Sequence, residues 1–223
     1  MSKNLTLTTL NKNFEEFKKM VFERWAKEDG AKGENLVAPQ LSEYTEVGTE
    51  IEIGGGFGKV RLLDTNYNGT GKKIWQFVDV LKAKEVNLGL PNNDNKGGYP
   101  SAKGVHETLN KIYDELPLWL KEQIVQVGIP CYIPAEEKLI TEKIDSLFLL
   151  SATEMCQNRY FLAKEGKPLE FYIKNCSEFS DWHWLRSSYL SGSSGWGVVD
   201  DGGGVGNGYT GGYGGVAPAF CTD

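Results

Sequence analysis

Residues 181–223 read DWHWLRSSYLSGSSGWGVVDDGGGVGNGYTGGYGGVAPAFCTD, and this stretch decides the fold. Lys, Glu, Gln and Met number 48 in the chain, yet none lies among the last 37 residues, Ser187 to Asp223. Those 37 residues hold twelve of the 27 Gly, and Arg186 is the last positive side chain. Composition of this kind suits a flexible, low-complexity terminus. The apolar anchors argue against that. Trp184-Leu185, Trp196, Val198-Val199, Val205 and Val216-Ala217-Pro218-Ala219-Phe220 are spaced as short strands, with Gly-rich stretches as tight hairpin connections. A disordered tail has no use for so many buried-type residues.

Side chains alternate faces along a strand, so Trp184 and Leu185 cannot both point inward on one flat face. Trp184, Trp196, Val198, Val205, Val216 and Phe220 are assigned to scaffold, and Arg186 to a buried anchor that hydrogen-bonds nearby carbonyls. The remaining composition, Tyr, Ser, Gly and Asn with occasional Trp, is that of a binding paratope. Aromatic rings there give contact area at low entropic cost, and small polar residues adapt. Trp182 belongs to that composition. The candidate ligand-binding residues are His183, Ser188, Tyr189, Ser191, Ser193, Ser194, Asp200, Asp201, Asn207, Tyr209, Thr210 and Tyr213, expected as one exposed, contiguous patch.

Upstream, Leu10, Phe14, Phe17, Val21 and Trp25 recur at i+3/i+4 and predict an amphipathic helix over 10–29, stopped at Gly30. Its stripe suits packing on the domain or on a symmetry mate. Residues 31–48 read as a connector. Glu50 to Ile53, 58–65 and 73–81 read as strands, the last two joined across Asn66-Tyr67-Asn68-Gly69. The Gly54-Gly55-Gly56-Phe57-Gly58 run precedes a strand rather than a helix and lacks Gly-Lys-Ser/Thr, so it reads as a turn, not a phosphate loop. Residues 85–100 form a polar loop. Helices are predicted near 104–115 and 117–127, a buried strand over 146–151 and a helical turn over 153–157.

The chain has 223 residues, 24.8 kDa and a net charge of −6, enough for one large domain with an appendage. The acidic balance argues against nucleic-acid binding by backbone neutralisation. No apolar run approaches the ~18 residues of a spanning helix, and the first residues lack a signal-peptide core. Membrane insertion and export by a signal peptide are therefore not expected. Cys131, Cys156, Cys176 and Cys221 form no C-x-x-C pair and are read as mostly reduced and buried, with Cys176–Cys221 the pair to examine for a disulfide. Only two His occur, His106 and His183, which excludes a His-rich metal site. There is no G-x-S-x-G elbow, and Glu136-Glu137 reads as solvated surface. No catalytic residue, cofactor or metal is assigned.

Three segments resemble a known family. Asp145-Ser-Leu-Phe-Leu-Leu-Ser151 with Glu154, Trp182-His-Trp-Leu-Arg-Ser187 and Gly215-Val-Ala-Pro-Ala-Phe220 are similar, in order and spacing, to segments of bacterial and phage domains with a C-type lectin-like fold. Gly48 to Ile53, Val60 to Asp64 and Ser101 to Asn110 fit the N-terminal half of that family. The resemblance implies an α+β, C-type lectin-like domain over 45–223, preceded by the N-terminal amphipathic helix and connector of residues 1–44.

Members include the variable proteins of diversity-generating retroelements, often phage tail or receptor-binding proteins. The resemblance therefore implies a non-catalytic protein displaying a hypervariable surface over 181–220 to a protein or glycan receptor on a bacterial host. Its location would be the virion tail, or the bacterial cytoplasm before assembly. Adenine-directed mutagenesis of AAC or AAT codons at their first two bases yields Asn, Ser, Thr, Asp, Gly, Tyr, Val, His and others, but never Lys, Glu, Gln, Met or Trp. The tail lacks the first four, and Trp196 would be scaffold. Glu-Pro-Asn and Trp-Asn-Asp calcium motifs are absent from the sequence, which argues against calcium-dependent sugar binding. Two alternatives stand beside this reading: an enzyme of the formylglycine-generating type, which shares the fold, and a structural tail subunit.

Overall fold

The computed structural model describes residues 38–81, 85–143, 146–175, 181–191 and 194–223. The expected helix over 10–29, Cys176 and Ser193 lie outside the described residues.

Strand β1 (Glu50–Glu52) turns back into β2 (Lys59–Asp64) through the glycine run. Gly54, Gly55, Gly56 and Gly58 all take positive φ, and Phe57 N–H donates to the Gly54 carbonyl, so the run is the hairpin turn the sequence predicts. Strand β3 (Lys73–Phe77) follows across a 3₁₀ turn at Tyr67–Gly69. The Asn66 side-chain carbonyl accepts from Gly71 N–H and fixes that turn. The last strand of the chain, β11 (Ala219–Thr222), pairs antiparallel with β3, Phe220 opposite Trp75, giving the sheet order β1-β2-β3-β11. Residues 219–222 thus form a structural strand beside β3.

The Gly-rich tail folds as the alternating apolar anchors predict. Strands β7 (His183–Ser188), β8 (Gly195–Val199) and β9 (Val205–Tyr209) form an antiparallel sheet. A short β10 (Tyr213–Gly214) pairs with β4 (Val86–Asn87), within the segment read as loop. Trp184, Trp196, Val198, Val205, Val216 and Phe220 are all buried. Leu185 is buried as deeply as Trp184, contrary to the one-faced expectation, because the β7 sheet is covered on both sides.

Two regions differ from expectation. A hairpin of β5 (Gly128–Ile133) and β6 (Lys138–Lys143) was not foreseen; Pro130 inside β5 masks the strand pattern. The helix expected over 117–127 is only the single turn α2 (Leu118–Lys121), because Val125 N–H donates to the Cys221 carbonyl and draws the chain toward β11. By contrast α1 (Lys103–Glu115) stands where predicted and buries Val105, Leu109 and Ile112. A short α3 (Glu170–Lys174) was also unforeseen. Leu147–Leu150 is buried as expected, yet it makes a single bridge, Phe148 to Ala219, rather than a strand. The architecture is mixed: short helices and several small antiparallel sheets, α+β in character, sharing one core.

Candidate functional site

The three segments quoted above meet inside the protein. Arg186, on β7, is fully buried and forms a bidentate ion pair with Glu154, at 2.7 Å from Nη1 and 2.6 Å from Nη2. Nη1 also donates to the Leu149 carbonyl (2.8 Å), and Nε donates to the Pro130 carbonyl (3.1 Å). Glu154 also accepts from the Tyr67 hydroxyl (2.8 Å) and from Ser151 N–H (3.0 Å). The Glu165 carboxylate lies 3.9 Å from Arg186 Nε and accepts from Tyr132 N–H and the Ser187 hydroxyl. One guanidinium therefore faces two buried carboxylates. Burial raises the Glu165 carboxyl to about 7, against the opposing pull of Arg186. Burial, the largest single influence, opposes the charge on Arg186, but Glu154, Tyr67 and Glu165 together outweigh it and hold the guanidinium well above its ordinary value. All three charged residues are closed to solvent, so this network orders the scaffold and offers no site for a substrate. The anchor role expected of Arg186 holds; Glu154 and Glu165 facing it, and Tyr67 bonded to Glu154, were not foreseen.

Above this scaffold lies the surface the sequence singled out. Asn207 and Tyr209 share one face of β9, and Tyr209 and Tyr213 are 61% and 68% exposed. Ser191, Ser194, Asp200 and Asp201 are exposed as well. Asp200 has a local duty: its carboxylate accepts from Gly202 and Gly204 N–H and closes the β8–β9 turn. Tyr189 is half-buried, stacked on Phe161 at 5.0 Å. The Tyr189 ring also lies over Gly195, which pairs with Tyr209 across the sheet.

Three expected surface residues are buried. The His183 ring is enclosed, its Nδ1–H donates to the Asp181 carbonyl at 2.7 Å, and burial lowers its pKa to about 4. Ser188 lies beneath the 161–163 segment, and its carbonyl accepts from Ala163 N–H. The Thr210 hydroxyl donates to the Asn93 carbonyl and ties the tail to the 91–93 turn. All three follow from β7 and the end of β9 being covered on both sides, which strand alternation alone does not reveal. Of the twelve candidates, three are thus buried, Tyr189 is half-buried, Ser193 lies outside the described residues, and the other seven are exposed.

Beside Tyr213 opens a recess of about 230 Å³, lined by Glu85, Trp182, Asp201, Tyr213, Gly214 and Gly215. Trp182 forms one wall; its ring meets Trp184 edge-on at 4.8 Å. The glycine at 214 makes this approach possible, since a Cβ there would stand 1.7 Å from the Trp182 ring. Glu85 and Trp182 were absent from the candidate set; the Trp-His-Trp run pointed to Trp182, but nothing local marks Glu85.

Among the described residues, no group of three or more His, Cys, Asp or Glu is placed to hold a metal ion, and no helix is long and apolar enough to cross a membrane. Cys131 and Cys221 are buried, and burial pushes the Cys221 thiol well up. Cys156 is exposed, the exception among the described cysteines, which were expected to be mostly buried.

Residues 84–223 match the family described as Domain of unknown function (DUF6273). The chain belongs to the DUF6273 family. The DUF6273 region contains Arg186, Glu154 and Glu165 and every lining residue of the recess. Tyr67 and β3 lie upstream of it, although Tyr67 bonds Glu154 and β3 pairs with β11. The folded unit is therefore larger than the DUF6273 match. No curated protein and no solved structure matches the chain.

Proposed function

We propose that the chain is a non-catalytic binding protein of C-type lectin-like fold, whose residues 181–220 display a ligand-binding surface. The reading extends to a phage tail-associated or host-recognition protein, diversified by a retroelement and directed at a protein or glycan on a bacterial surface. The observation that carries it is the exposure of Tyr209 and Tyr213 on strands spaced by glycine and tied to a rigid core. Large rings held at low entropic cost on ordered backbone are what a binding surface needs. A tail free of Lys, Glu, Gln and Met supports diversification of this surface.

Two experiments test the reading. The immobilised chain and its Tyr209→Ala and Tyr213→Ala variants are compared for retention of bacterial cell-envelope fractions. The variants should weaken retention by about tenfold or more while remaining folded; equal retention would remove the display surface. Sequencing of the neighbouring DNA should reveal a near-copy of the codons for 181–220 that differs only at adenines, beside a reverse transcriptase. Its absence would remove the diversification.

A further inference from the structure

We infer that the recess beside Tyr213 takes a cationic group, an alkylammonium or guanidinium, from the ligand. The inference rests on the binding reading above and assigns a chemistry to one part of that surface.

Trp182 is half-buried, and its position is fixed by Gly214 below and Trp184 at its edge. It therefore forms a fixed aromatic wall of the recess. Tyr213, 68% exposed, supplies a second ring. Glu85 and Asp201 are both exposed and line the same recess. Neither forms an ion pair with a described residue. The contrast with Asp200 is instructive: its carboxylate is occupied by two backbone N–H groups, whereas the carboxylate of Asp201 is left to solvent. The nearest cation along the tail, Arg186, is buried on Glu154. Among the described residues, the side chains lining the recess thus combine two carboxylates with two rings and include no cation. A cation gains both from the ring quadrupole and from the carboxylates, and both effects act in the same direction. A neutral sugar would gain from the rings but would not need two carboxylates, and an anion would be repelled.

The test uses the whole chain, ¹⁵N-labelled, with the Trp182 indole N–H resonance assigned through Trp182→Phe. n-Butylammonium and n-butylguanidinium are titrated against n-butyramide and methyl glucoside as neutral controls. The cations should shift the Trp182 resonance with affinity at least about fivefold higher than the neutral probes. Raising NaCl from about 0.02 to 0.5 M should weaken them. Glu85→Gln with Asp201→Asn, both at exposed positions, should erase the preference while the rest of the spectrum is retained. Equal or tighter binding of the amide or the glucoside, or salt-independent binding of the cations, would overturn the inference without need of any variant. The envelope-retention experiment separates the two readings. If Tyr209→Ala loses retention while the cations fail to bind, the display surface stands and the cation site falls. If the cations bind but the Tyr variants retain envelope normally, the recess stands as a site and the wider display reading falls.

Discussion

Arg186 sets a large energetic constraint at a single residue. Its guanidinium is fully buried and bonds Glu154 through both terminal nitrogens. Removing one partner of such a pair leaves an uncompensated charge in low dielectric, a cost of about 3–5 kcal/mol. Arg186→Met, which keeps volume but leaves Glu154 and Glu165 without a cation, should lower the urea midpoint by a corresponding amount. A loss below about 1 kcal/mol would mean that the carboxylates take up protons at little cost. Trp184→Ala should cost about 3–5 kcal/mol through the cavity it opens and the loss of its indole bond to the Val86 carbonyl. Tyr209→Ala and Tyr213→Ala, at exposed positions, should change stability by under about 0.5 kcal/mol. Equilibrium urea unfolding of all four variants separates scaffold from display: Tyr variants as damaging as Trp184→Ala would place those rings in the core.

At the scale of the element, β9 shows why glycine dominates the tail. Gly208 faces Trp184 and Val198; a Cβ there would stand 2.8 Å from Val198 Cγ1 and 2.9 Å from the Trp184 ring. Gly206, two residues earlier, has nothing within 4 Å of that position. Gly208→Ala should therefore cost about 1–3 kcal/mol by overpacking. Gly206→Ala should be neutral or slightly stabilising, since it only removes freedom from the unfolded chain. Thermal unfolding checks the pair, and equal effects would show that glycine serves turn geometry rather than close approach. The same distinction explains what was legible in the sequence. Strands β7, β8, β9 and β11 were readable because Trp184, Trp196, Val198, Val205 and Phe220 are apolar anchors spaced along a Gly-rich stretch. The burial of Ser188 and Thr210 was not, because their cover comes from residues 161–163 and 91–93, distant in sequence. Hairpin β5–β6 was hidden by Pro130, and the wall formed by Glu85 by the long reach between β4 and β10. Local pattern reports which side chains are apolar; it does not report what is folded over them.

For the molecule as a whole, the buried titratable groups tie stability to pH in opposite senses. His183 sits at about 4 in the fold against 6.5 for the free side chain. Between those values the unfolded chain binds the extra proton, so this group adds stability as pH rises from about 4 to 6.5 and loses it on acidification. Glu165 behaves inversely. Its carboxyl is at about 7 in the fold against 4.5 free. Between those values the folded chain holds the extra proton, so this contribution is full below 4.5 and is lost as pH rises through about 7. The two slopes offset each other in weakly acidic solution, which masks both in the wild-type profile. Comparison with Glu165→Gln separates them. The variant keeps an acceptor for Tyr132 N–H but cannot titrate, and His183 is common to both chains, so its contribution cancels in the difference. The stability of Glu165→Gln minus that of the wild type, from urea unfolding at a series of pH values, should be flat below 4.5, climb between 4.5 and 7, and level off above. A difference that stays constant across this window would mean that Glu165 remains ionised throughout. Arg186 would then carry two buried carboxylates at once, and Glu165 would owe its charge to Tyr132 N–H, the Ser187 hydroxyl and the guanidinium acting together.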